Sequence, residues 1–248
     1  MMPSLGDHLL VALIAVAYPL YSTLDWYRRL RPQLEGDGTN SRVRLYRRGM
    51  IELWVLTPVV LMWWLWSGRS VSALGVGAPG GWAFWVGMTV VVAVAVVLGR
   101  QVALVRGSAE AREQVRKQFR GVAALMVPRD NRERRMWVGL SVTAGSCEEV
   151  LYRGFLIWYL MTWLPALAAV PASAVLFGVA HVYLGWGLGV LRATVVGLVL
   201  GAAYLLTGTL WVPMALHAVV DVTSGLTGSV AFEQAAPVTI QSAVGGGE

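Results

Sequence analysis

One cysteine, Cys147, is all that 248 residues provide, so no intrachain disulfide can staple this chain. Charge is scarce as well. Asp, Glu, Lys and Arg make up 14% of the residues against 56% for hydrophobic types, and mean hydropathy is +0.60. Water-soluble domains carry roughly a quarter charged residues, so the shortfall excludes a soluble fold. Nor is there an HExxH motif, whose i,i+4 histidine pair would mark a helix-borne zinc site. What is abundant is tryptophan, twelve in all, a residue whose apolar body and polar N–H suit the membrane–water interface. The fold class these features imply is all-α: a polytopic membrane helical bundle.

The excess of basic residues, +6 in formal charge, does not form a soluble basic domain, and no nucleic-acid partner is expected. Sixteen of the twenty basic residues fall in two stretches, Arg28 to Arg48 and Arg106 to Arg135. The positive-inside rule assigns both to the cytoplasm, as loops. The loop between them, roughly Ser67 to Gly81 with only Arg69, then lies on the far side. A bacterial inner membrane is the expected location, with membrane lipid as the surrounding partner.

Seven apolar segments are near the length of about 20 residues that a membrane crossing needs: residues 9–24, 50–66, 82–105, 136–163, 165–183, 186–206 and 210–226. An eighth arises if the long fourth segment breaks near Gly154, so the expectation is seven to eight transmembrane helices. Ala15-Val16-Ala17 has the form of a signal-cleavage site, but no basic region precedes it, and the first helix is read as retained. Trp63, Trp64 and Trp66 read as an interfacial anchor, and Gly75 to Gly81 as a turn. Between Ser108 and Met126, Val115, Phe119, Val122 and Met126 line up at helical spacing, which reads as an amphipathic helix on the cytoplasmic surface. Three parts follow: residues 1–130 with the N-terminal spans and the amphipathic helix, a helical core at 131–227, and a disordered tail at 228–248.

Within the apolar part of that core, from Met136 on, the acidic, basic and imidazole groups are Glu148, Glu149, Arg153, His181, Arg192, His217 and Asp221. A charge at a helix centre costs about 2.5–3.5 kcal/mol on the insertion scale, so such groups face one another or a wet cavity, and a cost of that size is usually kept for chemistry. Glu149 and Arg153 are i,i+4 and can pair, while Glu148 points about 100° away and is free to face a cavity. Phe177 and His181, and His217 and Asp221, repeat the i,i+4 spacing on two further helices. Cys147, Ser146 and Thr143 read as packing residues. Arg192, alone in a Gly-rich span, either snorkels to the interface or binds a substrate carboxylate. Gly197 and Gly201 form a GxxxG that marks close helix packing.

The stretch from Glu148-Glu149 to Arg153, followed by Phe177 to His181 and by His217 to Asp221, resembles the EExxxR, FxxxH and HxxxN/D motifs of the CPBP family of intramembrane proteases. That family includes the type II CAAX prenyl endopeptidases and bacterial proteins linked to bacteriocin self-immunity. The resemblance implies an intramembrane endopeptidase acting on a membrane-associated peptide or protein. Its catalytic positions are Glu148, Glu149, His181, His217 and Asp221, with Arg153 and Phe177 in support. Glu148 and His181 would activate water, and His217 would polarise the scissile carbonyl. Ionised Asp221 cannot donate a hydrogen bond as the family's Asn can. Either Asp221 is protonated or, as is preferred, it accepts a hydrogen bond from His217 and fixes its tautomer. Two chemistries stay open: glutamate-activated water with no cofactor, which is preferred, or a divalent metal such as Zn²⁺ held by Glu148, His181 and His217. Two other functions compete, a proton or cation transporter using the same groups and a non-catalytic binding or immunity protein.

Overall fold

The computed structural model describes residues 2–36, 38–119 and 121–233, and the regular structure among them is helical. In chain order the main helices are α1 (Leu5–Gly36), α2 (Gly38–Trp66), α3 (Gly81–Gly107), α4 (Ala109–Gln118) and α5 (Val122–Met126). They are followed by α6 (residues 131–160), α7 (Ala166–Ala180), α8 (Leu188–Thr207) and α9 (Trp211–Phe232). Of these, α1, α2 (from Asn40), α3, α8 and α9 are long and apolar enough to cross a membrane. The other two expected segments are helical but fall short of that description. α7 has 15 residues, and the apolar run of α6 is interrupted by Glu148, Glu149 and Arg153. No eighth segment arises, because α6 does not break near Gly154. It continues through Glu149–Leu156 with π-helical winding.

The lipid-facing character is plain on α3, where Val86, Val90, Val92 and Val97 are all exposed. An outward apolar face on a helix long enough to cross a bilayer fits a lipid surrounding. The chain is an integral membrane protein. Inside the bundle, α6 packs against α2 and α9, α9 also against α3, and α7 against α8. Small residues allow the last of these approaches: a Cβ on Gly201 would stand 2.7 Å from Val170, and one on Gly197 3.1 Å from Ala174. These two glycines are the GxxxG pair.

Several local expectations are corrected. The first arginine-rich stretch is helical rather than a loop: Arg28, Arg29 and Arg31 lie on α1, and Arg42, Arg44, Arg47 and Arg48 on α2. Carboxylates one turn away support this, with Arg31 bonded to Glu35 (2.9 Å) and Arg48 to Glu52 (2.7 Å). The amphipathic segment is two short helices, not one. Val115 is buried on the protein itself, against Val105, Val230 and Ala231, instead of being spent on lipid. Trp64 is no interfacial anchor. It is fully buried in the core and donates its indole N–H to the Ser70 carbonyl, leaving Trp66 as the exposed ring of the three. The tail boundary also moves, since α9 runs through Gly228 to Phe232; the remainder from 234, like Arg120, lies outside the described residues.

Arg69, the lone basic residue between α2 and α3, is a structural tie. Its guanidinium makes two hydrogen bonds to Asp7 (2.7 and 2.6 Å), which the Trp63 indole also reaches at 3.1 Å, and it sits 4.2 Å above the Trp158 ring. Asp7 in turn caps the start of α1 through Ser4. Arg69→Ala strands a buried carboxylate and is expected to cost about 3–5 kcal/mol. Cys147, the sole cysteine and buried, provides the readout: in detergent, a thiol-reactive dye should label it at a clearly lower temperature in the variant.

Candidate active site

The π-wound segment starts at Glu149, one residue after Glu148, and all eight of its residues are buried. Such winding misaligns the backbone hydrogen-bond ladder and recurs at functional sites. Here Ser173 of α7 donates its hydroxyl to the Tyr152 carbonyl (3.0 Å), supplying a partner from the neighbouring helix. Close approach of α6 to α9 depends on Gly145, where a Cβ would lie 2.9 Å from the Met214 carbonyl oxygen and the Ala218 nitrogen. Both flank His217. A second contact repeats the device, with the Trp137 ring filling the space over Gly225 and donating its N–H to the Asp221 carbonyl (2.9 Å).

The two adjacent glutamates have different environments. Glu149 is fully buried, and one oxygen, Oε1, accepts from Arg153 Nη1 (2.8 Å) and from His217 Nδ1 (2.7 Å). Its other oxygen has no partner among the described residues. Arg153, itself 1% exposed, also donates to the Gly197 carbonyl (3.3 Å) and lies 4.4 Å over the Phe177 ring. Glu148 makes no hydrogen bond to the described protein, keeps 16% of its side chain exposed, and lines a cavity of about 770 Å³.

The imidazoles complete the cluster. His217 presents Nε2 to Glu148 (3.9 Å) and Asp221 (3.5 Å). A carboxylate can only accept, so Nδ1 carries the hydrogen shared with Glu149. The ring is therefore held by Glu149 on the side opposite Asp221, whereas the sequence had pointed to Asp221 as its anchor. His181 lies just past the end of α7, where its Nδ1–H donates to the Phe177 carbonyl (2.8 Å) and leaves Nε2 free. The Phe177 ring is 4.5 Å from His181 and 6.0 Å from His217, packed between the two motifs. Glu148, His181, His217 and Asp221 all line the same cavity.

Residues 132–223 match the family described as Rce1-like, type II CAAX prenyl endopeptidase. This segment is similar to the CAAX proteases, in agreement with the resemblance of its motifs to the CPBP family. The matched Rce1-like domain contains every motif residue just described, from Glu148 to Asp221. No curated protein and no solved structure matches the chain.

The donor chemistry of Glu148 and of the two Nε2 atoms suits a divalent metal. Their placement does not, because no group of three or more His, Cys, Asp or Glu side chains among the described residues is positioned to hold an ion. No step is therefore routed through a metal. Cys147 is buried in the core, as expected of a packing residue.

The other wall of the cavity comes from the N-terminal half and was invisible in the sequence. Tyr18 and Trp26 of α1 and Arg48, Glu52 and Leu53 of α2 face the Rce1-like residues across it. The Trp26 ring is 5.8 Å from Tyr183, which is 5.7 Å from His181. Only the standing of Glu52 as the one acidic residue of α2, four positions after Arg48, could have singled out this pair.

Proposed function

We propose that this protein is an intramembrane endopeptidase in which Glu148 activates water for attack on a peptide bond in a membrane-associated substrate. The observation that carries the reading is the contrast between the two glutamates. Glu149 is consumed by Arg153 and His217, while Glu148 stands unbonded at the wall of a cavity shared with both imidazoles.

In this scheme Glu148 accepts a proton from water, which His181 Nε2 helps to position. The hydroxide adds to the carbonyl carbon. His217, its ring locked by Glu149 through Nδ1–H, carries a second proton on Nε2, between the Glu148 and Asp221 carboxylates, and as an imidazolium donates that N–H to the oxyanion. Glu148 then returns its proton to the leaving amine, and the C–N bond breaks. Arg153 acts indirectly: it holds the Glu149 side chain in place, and Phe177 sets the distance between the imidazoles. The arginine-rich ends of α1 and α2 are assigned to the cytoplasmic side of a bacterial inner membrane.

Incubation of the purified protein with a library of membrane-associating peptides, read by mass spectrometry with and without chelator, tests this. Cleavage that survives chelation is expected. Loss of cleavage on chelation with recovery on adding Zn²⁺ would replace glutamate-activated water by metal-bound water at Glu148, His181 and His217. No cleavage, together with pH-driven ion flux in vesicles, would favour transport.

A further inference from the structure

Among the described residues, the tyrosines that line the cavity are Tyr18, Tyr152 and Tyr183. Tyr18 is engaged, since its hydroxyl donates to Glu52 (3.3 Å). Tyr183 sits on the 3₁₀ turn Val182–Leu184 that follows His181. The turn is pinned by Leu184 N–H to the His181 carbonyl and by Gly185 N–H to the Val182 carbonyl, both at 2.9 Å. Its ring stands between His181 (5.7 Å) and Trp26 (5.8 Å), so the ring is held. The hydroxyl is not. It makes no hydrogen bond to the described residues and, unlike the Trp26 indole nitrogen, is not sealed away from the cavity. The charges that bear on it are those of Glu148 and Asp221, the two carboxylates beside His217 Nε2. Tyr152 is placed differently, under the charges of Glu148 and Arg153. Of the serines on the wall, Ser22 donates to the Pro19 carbonyl (3.1 Å), and Ser224 lies two turns of α9 from His217.

Addition of hydroxide to a peptide carbonyl puts a negative charge on its oxygen, and a cavity poor in water must supply donors fixed in advance. His217 Nε2–H is one. Asp221, beside that nitrogen, cannot donate when ionised. A phenol, with an ordinary pKa of about 10, keeps its proton at neutral pH and donates without adding charge. We infer that Tyr183 is a catalytic residue whose hydroxyl gives the oxyanion a second hydrogen bond beside that of His217. No proton passes to the oxyanion. When hydroxide adds, the C=O electron pair moves onto oxygen, where both donors hold it. It returns as the C–N bond breaks, and the amine takes its proton from Glu148. The inference rests on the peptidase reading of the same cavity.

The test uses the full chain in detergent and a peptide that the parent chain cleaves, together with the p-nitrophenyl ester of the same acyl segment. Tyr183→Phe removes the hydroxyl and keeps the ring. It should lower kcat on the peptide about 100-fold, as loss of one oxyanion donor does, and leave KM within about twofold. The ester should lose a similar factor, because its leaving group departs without a proton while its oxyanion needs the same donors. Peptide retention in equilibrium dialysis should agree within about twofold between Glu148→Gln and the Glu148→Gln/Tyr183→Phe double variant. A Tyr183→Phe chain that keeps a third or more of the parent kcat overturns the assignment, as does a loss confined to KM and retention. A loss seen on the peptide and absent on the ester would make Tyr183 the proton donor to the amine and overturns it too. Labelling of Cys147 on heating reports the fold: earlier labelling, with kcat and retention falling together, makes the hydroxyl structural and rejects the catalytic role. Failure of the peptidase reading is distinct, since the parent chain would then cleave neither substrate and both readings would fall.

Discussion

Glu148→Gln should lower the rate of peptide cleavage by about 10³-fold, roughly 4 kcal/mol of lost transition-state stabilisation. Gln keeps the size and shape of the side chain but cannot take a proton from water. The same change should leave stability almost untouched. Glu148 accepts no hydrogen bond from the described protein and retains 16% exposure, so no buried partner is stranded by the replacement. Temperature-dependent labelling of Cys147 should therefore coincide with that of the parent chain, while cleavage, followed by mass spectrometry, should nearly vanish. A variant that kept a tenth or more of the parent activity would remove Glu148 from the role of base. A silent binding protein predicts a different result, with peptide retention unchanged and no cleavage in either chain.

The second large effect is expected at Arg153, and it is a double-variant experiment. Arg153→Met removes the one fixed cation bonded to the buried Glu149. That leaves a carboxylate in the bundle interior with only His217 for company, at a cost of about 3–5 kcal/mol. Dye labelling of Cys147 should move to markedly lower temperature, and activity should fall with it. Adding Glu149→Gln neutralises the stranded charge and should recover most of the lost stability, because removing both partners of a buried pair is far cheaper than removing one. Activity should not recover. Glu149 also accepts from His217 Nδ1 (2.7 Å), and a Gln in its place cannot hold the imidazole as an ionised acceptor does. If the double variant regained both stability and activity, Glu149 would be only a counter-ion for Arg153, and the orientation of His217 would come from elsewhere. If it regained neither, the pair would not be separable into structural and catalytic parts.

These two experiments bear on the glutamates that sequence spacing could only partly distinguish. The i,i+4 relation of Glu149 to Arg153 was legible, as was the divergence of Glu148 from that face. The attachment of Glu149 to His217, 68 positions away, was not. Sequence reasoning therefore assigned the tautomer-fixing bond to Asp221, the nearest acid on the same helix. Local helical geometry does place Asp221 near His217, at 3.5 Å from Nε2, but the other ring nitrogen is reached only because Gly145 lets α6 approach the backbone of α9. In the same way, Phe177 and His181 share helical spacing in the sequence, yet His181 is held by the Phe177 carbonyl at the end of α7, where a freed backbone acceptor is available.

The sequence by itself determined that this is an all-helical membrane protein with a few costly polar groups on three helices, because a bilayer penalises every charge and the exceptions stand out against an apolar background. Its motifs sufficed to indicate the protease family for the same reason: their residues are spaced along single helices, where order in the chain is order in space. Only the tertiary structure decided that Glu149 also holds His217, on a helix far away in the chain. It alone brought α1 and α2 to the opposite wall of the cavity and returned Val115 and Trp64 to the protein interior. Those outcomes depend on helix crossings and on the π-wound turn at Glu149, which are set by side-chain packing between segments far apart in the chain and leave no periodic trace within any one of them.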